Sequence, residues 1–151
     1  SSDGIVALNP DIPQDKQWDA YIEKQRWLLL QRTKGMEDRF YQTAGCTPSS
    51  LDNKLVILVD DGVATGMTAI AAIETAKQRG AKRTILAAPV MSKESYKELS
   101  AYADQIVSLV VPDNFMCVGQ YYLDFTQVSD DDVIMNLREA MNIMHPNRAM
   151  S

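Results

Sequence analysis

The sequence predicts an α/β domain with a mostly parallel central sheet flanked by helices, and three observations carry that expectation. Its strand-like segments, such as Leu55–Val59, are continuous Val/Ile/Leu runs without alternation, which suits strands buried on both faces. Segments with helical spacing separate them, and the connections are short. A cluster of acids, glycines and threonines follows the end of one strand, where ligands sit in sheets of this kind.

The 151 residues fit a single domain, which at this size buries roughly 68–70% of its unfolded surface. Ile5–Leu8 is a short strand candidate, stopped by Asn9-Pro10 and Pro13. From Gln14 to Lys34 the spacing is helical, with Trp18, Tyr21, Ile22, Leu28 and Leu29 near one face and Gln25 interrupting them. Arg26, Arg32, Lys34 and Arg39 make this region locally basic; it reads as a solvated helix with a core stripe or as part of an anion site. Residues 44–54 read as a loop. Leu55–Val59 is the expected central strand, and Met67–Arg79 a helix closed by Gly80.

Thr84–Ala88 is the next buried strand. Ser92 then caps a helix reaching Tyr102, with Tyr96, Leu99 and Ala103 inward. Gln105–Val111 is a further strand, and a short one is expected around Val118–Leu123. Ser129 and Asp132 form a capping box for a last helix whose apolar face is Val133, Ile134, Leu137, Met141 and Met144.

Composition excludes several function classes. A net charge of -5 and a pI near 4.8 argue against a general nucleic-acid surface. The longest apolar runs, Leu55–Val59 and Ile106–Val111, are far below the ~20 residues of a membrane span, and no signal-peptide pattern opens the chain. Cys46 and Cys117 match no metal spacing and read as free thiols of a reducing, cytoplasmic compartment. The single histidine, His145, sits beside Pro146 near the C-terminus, which sets aside His-based catalysis and His-rich metal sites.

The chemistry concentrates in "LVILVDDGVATGMT", residues 55–68. A P-loop is excluded: the loop is too short and Met67 stands where the phosphate-binding Lys belongs. A phosphate-accepting receiver domain is excluded too, because the later strands end in Ala88-Pro89 and Val111-Pro112 rather than in Asp and Lys. A ribose-5-phosphate site fits. Gly62, Ala64 and Gly66 let backbone N–H groups approach a phosphate, and the loop opens a helix whose N-terminus favours an anion. Thr65 and Thr68 add hydroxyl donors, while Asp60 and Asp61 suit vicinal sugar hydroxyls. The plain alternative is an acidic turn that caps the helix.

Taken together, "VILVDDGVATGMT" resembles the phosphoribosyl pyrophosphate signature of type I phosphoribosyltransferases, and specifically a bacterial branch whose signature is D-D-G-x-A-T-G. That branch also carries a later block like "PDNFMCVGQYYLDFTQVSDDDV" (Pro112–Val133), and the resemblance runs from about Gly4 to Leu137. It implies that Asp60 and Asp61 bind the ribose hydroxyls, directly or through a Mg2+ held chiefly by substrate oxygens and water. It implies that Val63, Ala64, Thr65, Gly66, Met67 and Thr68, with Gly62 before them, cradle the 5-phosphate. Phe115 would stack on a nitrogenous base and Asp124 would contact it. Partners would be phosphoribosyl pyrophosphate and that base, in a protein that can form a homodimer.

This sequence departs from the family pattern in three places. Many members carry Asp before the Thr-Gly where this chain has Ala64, so no side chain is assigned as a catalytic base. The purine enzymes place a Lys at the end of the strand after the signature helix, where "AAPV" stands here; Lys93 follows a few residues on. The family opens with a strand, helix and strand whose first loop, often Arg-Gly-Gly, holds pyrophosphate, and no such loop precedes Ile5. The expectation is therefore a Rossmann-like domain over residues 1–151 without that N-terminal unit, with residues 14–43 as a hood or lid. Transfer of the phosphoribosyl group with release of pyrophosphate is one expected function. A non-catalytic module that senses phosphoribosyl pyrophosphate or a nucleotide is the other.

Overall fold

The computed structural model describes Gly4, Ile5, Ala7, residues 16–45 and residues 50–144. In chain order the elements are α1 (Lys16–Ala44), β1 (Leu55–Val59), α2 (Met67–Gln78), β2 (Arg83–Val90), α3 (Lys93–Leu99), β3 (Gln105–Val110), a 3-10 turn (Val118–Tyr121) and α4 (Asp130–Met144). The strands form a parallel sheet in the order β1-β2-β3. Leu55 pairs with Arg83 and Val59 with Ala87; on the other side Ile85 pairs with Gln105 and Val90 with Val110. Parallel neighbours need a helical crossover, which α2 and α3 supply.

Apolar spacing on α2 buries Ala69, Ile70, Ile73 and Ala76 against one face of the sheet. Leu86, Ala88, Val63, Met91 and Leu99 complete that core. The C-terminus of α2 shows why Gly80 is a glycine. Its φ is +83°, its N–H meets the Lys77 carbonyl, and the Ala81 N–H meets that of Ala76, the double bond of a Schellman end. A Cβ there would lie 2.6 Å from the Asp52 Oδ1.

The apolar run of β1 predicts a central strand covered on both faces. Within the described sheet it is instead an edge strand, and β2 is the centre. Leu55, Ile57 and Val59 are 53%, 57% and 80% exposed, because the described helices α2 and α3 cover the opposite face. Val107 and Leu109 of β3 share the open face with them.

Further differences are local. The first helix runs past Lys34 to Ala44, and of the expected core stripe Trp18, Tyr21, Leu28 and Leu29 are exposed while Ile22 is half-buried. α1 leans on α4 through Arg39, which pairs with Asp130 at 2.8 Å and Asp131 at 3.6 Å, and through Arg138 Nε donating to the Thr43 carbonyl. Ile134 of α4 is buried. Ser129 and Asp132 form the reciprocal capping box, with Ser129 Oγ accepting from the Asp132 N–H and Asp132 Oδ2 from the Ser129 N–H. Tyr96 is exposed rather than inward. Val118–Tyr121 is a 3-10 turn rather than a strand, and it pairs with none of the described strands. Gly4, Ile5 and Ala7 adopt no strand, and the rest of the Ile5–Leu8 candidate lies outside the described residues, as do Cys46 and His145. Cys117 is a free, exposed thiol.

Candidate functional site

The acid pair lies at the carboxyl end of β1, and the backbone around it is stitched to the end of β2. Asp60 N–H donates to the Ala87 carbonyl at 3.1 Å, and Val63 N–H to that of Val90 at 2.9 Å. The Val63 carbonyl in turn accepts from the Ser92 N–H at 2.9 Å. Val63 is 3% exposed and both of its backbone groups are engaged in the fold, so it anchors the loop. Gly62 passes close to its neighbours: a Cβ there would lie 2.4 Å from a Val118 methyl. The glycine is required by that approach.

From this anchor the chain turns outward. Ala64, Thr65 and Thr68 are exposed, Met67 is half-buried, and Gly66 is buried with a left-handed φ of +76°. Gly66 is the N-cap of α2, and no side chain caps that helix. The alternative in which the acids serve as helix caps therefore does not describe this structure. The positive end of the α2 dipole opens directly from the loop.

Burial raises the Asp60 carboxyl above its usual range, and the Asp61 charge adds to that effect. Asp60, at the rim of the sheet, is thus held in a state that a cation or hydroxyl donors would relieve. Among the described residues no group of three or more His, Cys, Asp or Glu side chains could enclose a metal. The donor set fits a cation that takes most of its oxygens from elsewhere, as Mg2+ does with substrate phosphates and water.

The later block reaches the acid pair through a residue that the sequence did not single out. Tyr122 Oη donates to the Asp61 carbonyl at 2.5 Å. Tyr122 also packs on Phe125, with centroids 5.1 Å apart. Its place in the Pro112–Val133 block was the available signal, but several aromatics there look alike in sequence. Phe115 lies stacked on Tyr121, with centroids 6.0 Å apart and planes 16° apart. Asp124 Oδ1 accepts from the Thr126 N–H at 2.9 Å and from its hydroxyl at 2.5 Å, so its carboxyl lies below the usual range. Lys93 is ion-paired with Asp113.

α1 lies near the start of α2. Between them lies a cavity of about 530 Å3, lined among others by Ile22, Leu29, Leu30, Met67 and Thr68. The region expected to act as a hood is thus a long helix facing the first turn of the loop helix.

Comparison with known proteins bears on the family and the fold. The family model described as "phosphoribosyl transferase domain" matches residues 31–126. Proteins of two Mycobacterium tuberculosis strains, CDC 1551 and H37Rv, each provisionally named a phosphoribosyl transferase, are 37% identical over 142 residues, covering 91% of this chain and 31% of their own length. A uracil phosphoribosyltransferase from Agrobacterium fabrum is 54% identical over 46 residues, 28% of this chain and 22% of that protein. A crystal structure of the protein TT1426 from Thermus thermophilus superposes with a TM-score of 0.74 at 34% identity, covering 92% of this chain and 65% of that one. The chain thus spans about a third of the length of the curated relatives that it resembles over most of its own.

Proposed function

This chain belongs to the phosphoribosyl transferase family, and from that premise we propose that it binds phosphoribosyl pyrophosphate at the Asp60–Thr68 loop and takes part in transferring the phosphoribosyl group to a nitrogenous base. One observation carries the reading: an acid pair at a strand end, Asp60 half-buried and Asp61 exposed, is joined, within a few residues, to a helix that opens on a left-handed glycine with no side-chain cap. Hydroxyl acceptors and phosphate donors are thereby held side by side. Asp60 and Asp61 accept hydrogen bonds from the ribose hydroxyls. The segment from Ala64 to Thr68, the loop and the first residues of α2, takes the 5-phosphate, with the exposed Thr65 and Thr68 donating from their hydroxyls.

In the reaction a ring nitrogen of the base attacks the anomeric carbon, the bond to the pyrophosphate oxygen breaks, and the proton of the nitrogen leaves to solvent or to pyrophosphate. Mg2+ beside Asp60 and Asp61 would offset charge on the departing pyrophosphate. The chain itself contributes positioning, and carboxylates beside a ribosyl ring that becomes cationic. α1 would limit access of water from its side. Phe115 and Asp124 belong to the base side in this reading. Phe115 would exchange its Tyr121 partner for the base, and Asp124 would give up its Thr126 contacts.

The experiment is turnover of phosphoribosyl pyrophosphate with Mg2+ and a panel of bases. Uracil comes first, given the local identity to a uracil enzyme and the absence of the purine-enzyme Lys. Pyrophosphate release that depends on a base supports transfer. Saturable binding with no release for any base would leave a sensing module. No binding at all would overturn the assignment of the loop.

A further inference from the structure

We infer that Ser92 and Ser95 are positioning residues for the phosphate cradle, acting through the carbonyl of Ala64; the inference rests on the reading of the loop given above. Both serines are buried, at 5% and 2% exposure. Ser92 Oγ lies 2.8 Å and Ser95 Oγ 2.7 Å from the Ala64 oxygen. A carbonyl only accepts, so each hydroxyl spends its single proton there. Ser92 Oγ meanwhile accepts from the Ser95 N–H at 3.1 Å, so it is donor and acceptor at once. Both lone pairs of the Ala64 oxygen are thereby occupied.

The consequence follows from peptide geometry. The unit between Ala64 and Thr65 is planar and trans, so its N–H points opposite to its carbonyl. Two buried hydroxyls draw the carbonyl inward, and the Thr65 N–H is turned outward, into the loop that precedes the α2 N-terminus. None of the described residues accepts from it. Gly66 then continues in the left-handed region with its α-carbon face toward Ser95 and Leu99, where a Cβ would lie 3.5 Å from Ser95 Oγ and 3.4 Å from Leu99. The loop conformation that presents donors to an anion is held from below by α3.

A helix-capping role accounts for Ser92 accepting from Ser95, but not for two protons converging on one loop carbonyl. The test is a titration with inorganic phosphate and with ribose 5-phosphate, followed by amide NMR on the wild-type chain, on Ser95→Ala and on Ser95→Cys, whose thiol is a weaker donor. In the wild type the Thr65 amide is expected to exchange rapidly in the free protein and to become protected on ligand binding. Ser95→Ala is expected to lose roughly tenfold or more in phosphate affinity, the order of one hydrogen bond to a charged group, with Ser95→Cys between. A Thr65 amide already protected without ligand would overturn the inference whether or not the variants fold. So would unchanged affinity in a folded Ser95→Ala with only a lowered melting temperature. A wild-type chain in which phosphate leaves the amides of residues 64–68 unmoved would instead refute the assignment of the loop itself.

Discussion

At the scale of single residues the site is a contest between solvation and charge. Asp60 is partly withdrawn from water beside Asp61, and its carboxyl is raised accordingly. A raised native value means that the fold favours the protonated form; the penalty for the charged form is absent below the unfolded value near 3.8 and develops as pH rises through the native one. Asp60→Asn is therefore expected to raise the melting temperature at pH 7 in cation-free buffer, with the gain fading below pH 4, while binding of ribose 5-phosphate is lost. Asp61→Asn separates sugar recognition from a purely structural part. A ribose 5-phosphate ligand should weaken by ~1.5–3 kcal/mol and its 2-deoxy analogue by less; equal losses in calorimetry would deny the sugar contact. Thr65→Val should cost a similar ~1.5–3 kcal/mol toward either ligand, since it removes only a phosphate donor.

At the scale of elements the helix ends and strand connections follow local rules, and those were legible. Gly80 after Arg79 and the Ser129/Asp132 box both form as their spacing implies. Gly80→Ala should destabilise the chain by ~1–3 kcal/mol, from a left-handed backbone and a collision with Asp52, read as a lower urea midpoint. The start of β2 holds a second, less visible device. Asp104 Oδ2 accepts from the N–H and hydroxyl of Thr84, at 2.7 and 3.0 Å, and Thr84 is 1% exposed. Those bonds lower the Asp104 carboxyl. Its stabilisation is present above the unfolded value of 3.8 and disappears as pH falls through the depressed native value. Asp104→Ala should therefore lower the melting temperature at pH 7 and narrow its difference from wild type in acid. A constant difference across that range would assign the effect to packing instead.

At the scale of the whole molecule the sheet is covered by the described helices on one face only. Leu86 at 1% exposure and Leu109 at 83% are both strand leucines in the same sheet. Leu86→Ala should cost ~2–5 kcal/mol of stability, whereas Val59→Thr and Leu109→Thr, keeping β-branching or adding it, should each stay within about 0.5 kcal/mol. Denaturant unfolding of the three variants checks the contrast. The sequence by itself determined the order of elements, the helix ends and the chemical character of the loop at residues 60–68, because these depend on neighbours a few positions away. The apolar runs determined that the strands belong in a sheet, but not which strand is central or which face is covered. Those are decided by contacts between segments far apart in the chain, as when Arg83–Val90 takes the middle position that the apolar run Leu55–Val59 predicts for itself. The same holds for the site. Spacing put Asp60, Asp61, Thr65 and Gly66 in one loop, whereas Tyr122 on the Asp61 carbonyl and Ser95 on that of Ala64 arrive from 61 and 31 residues away. Only the folded chain brings them there.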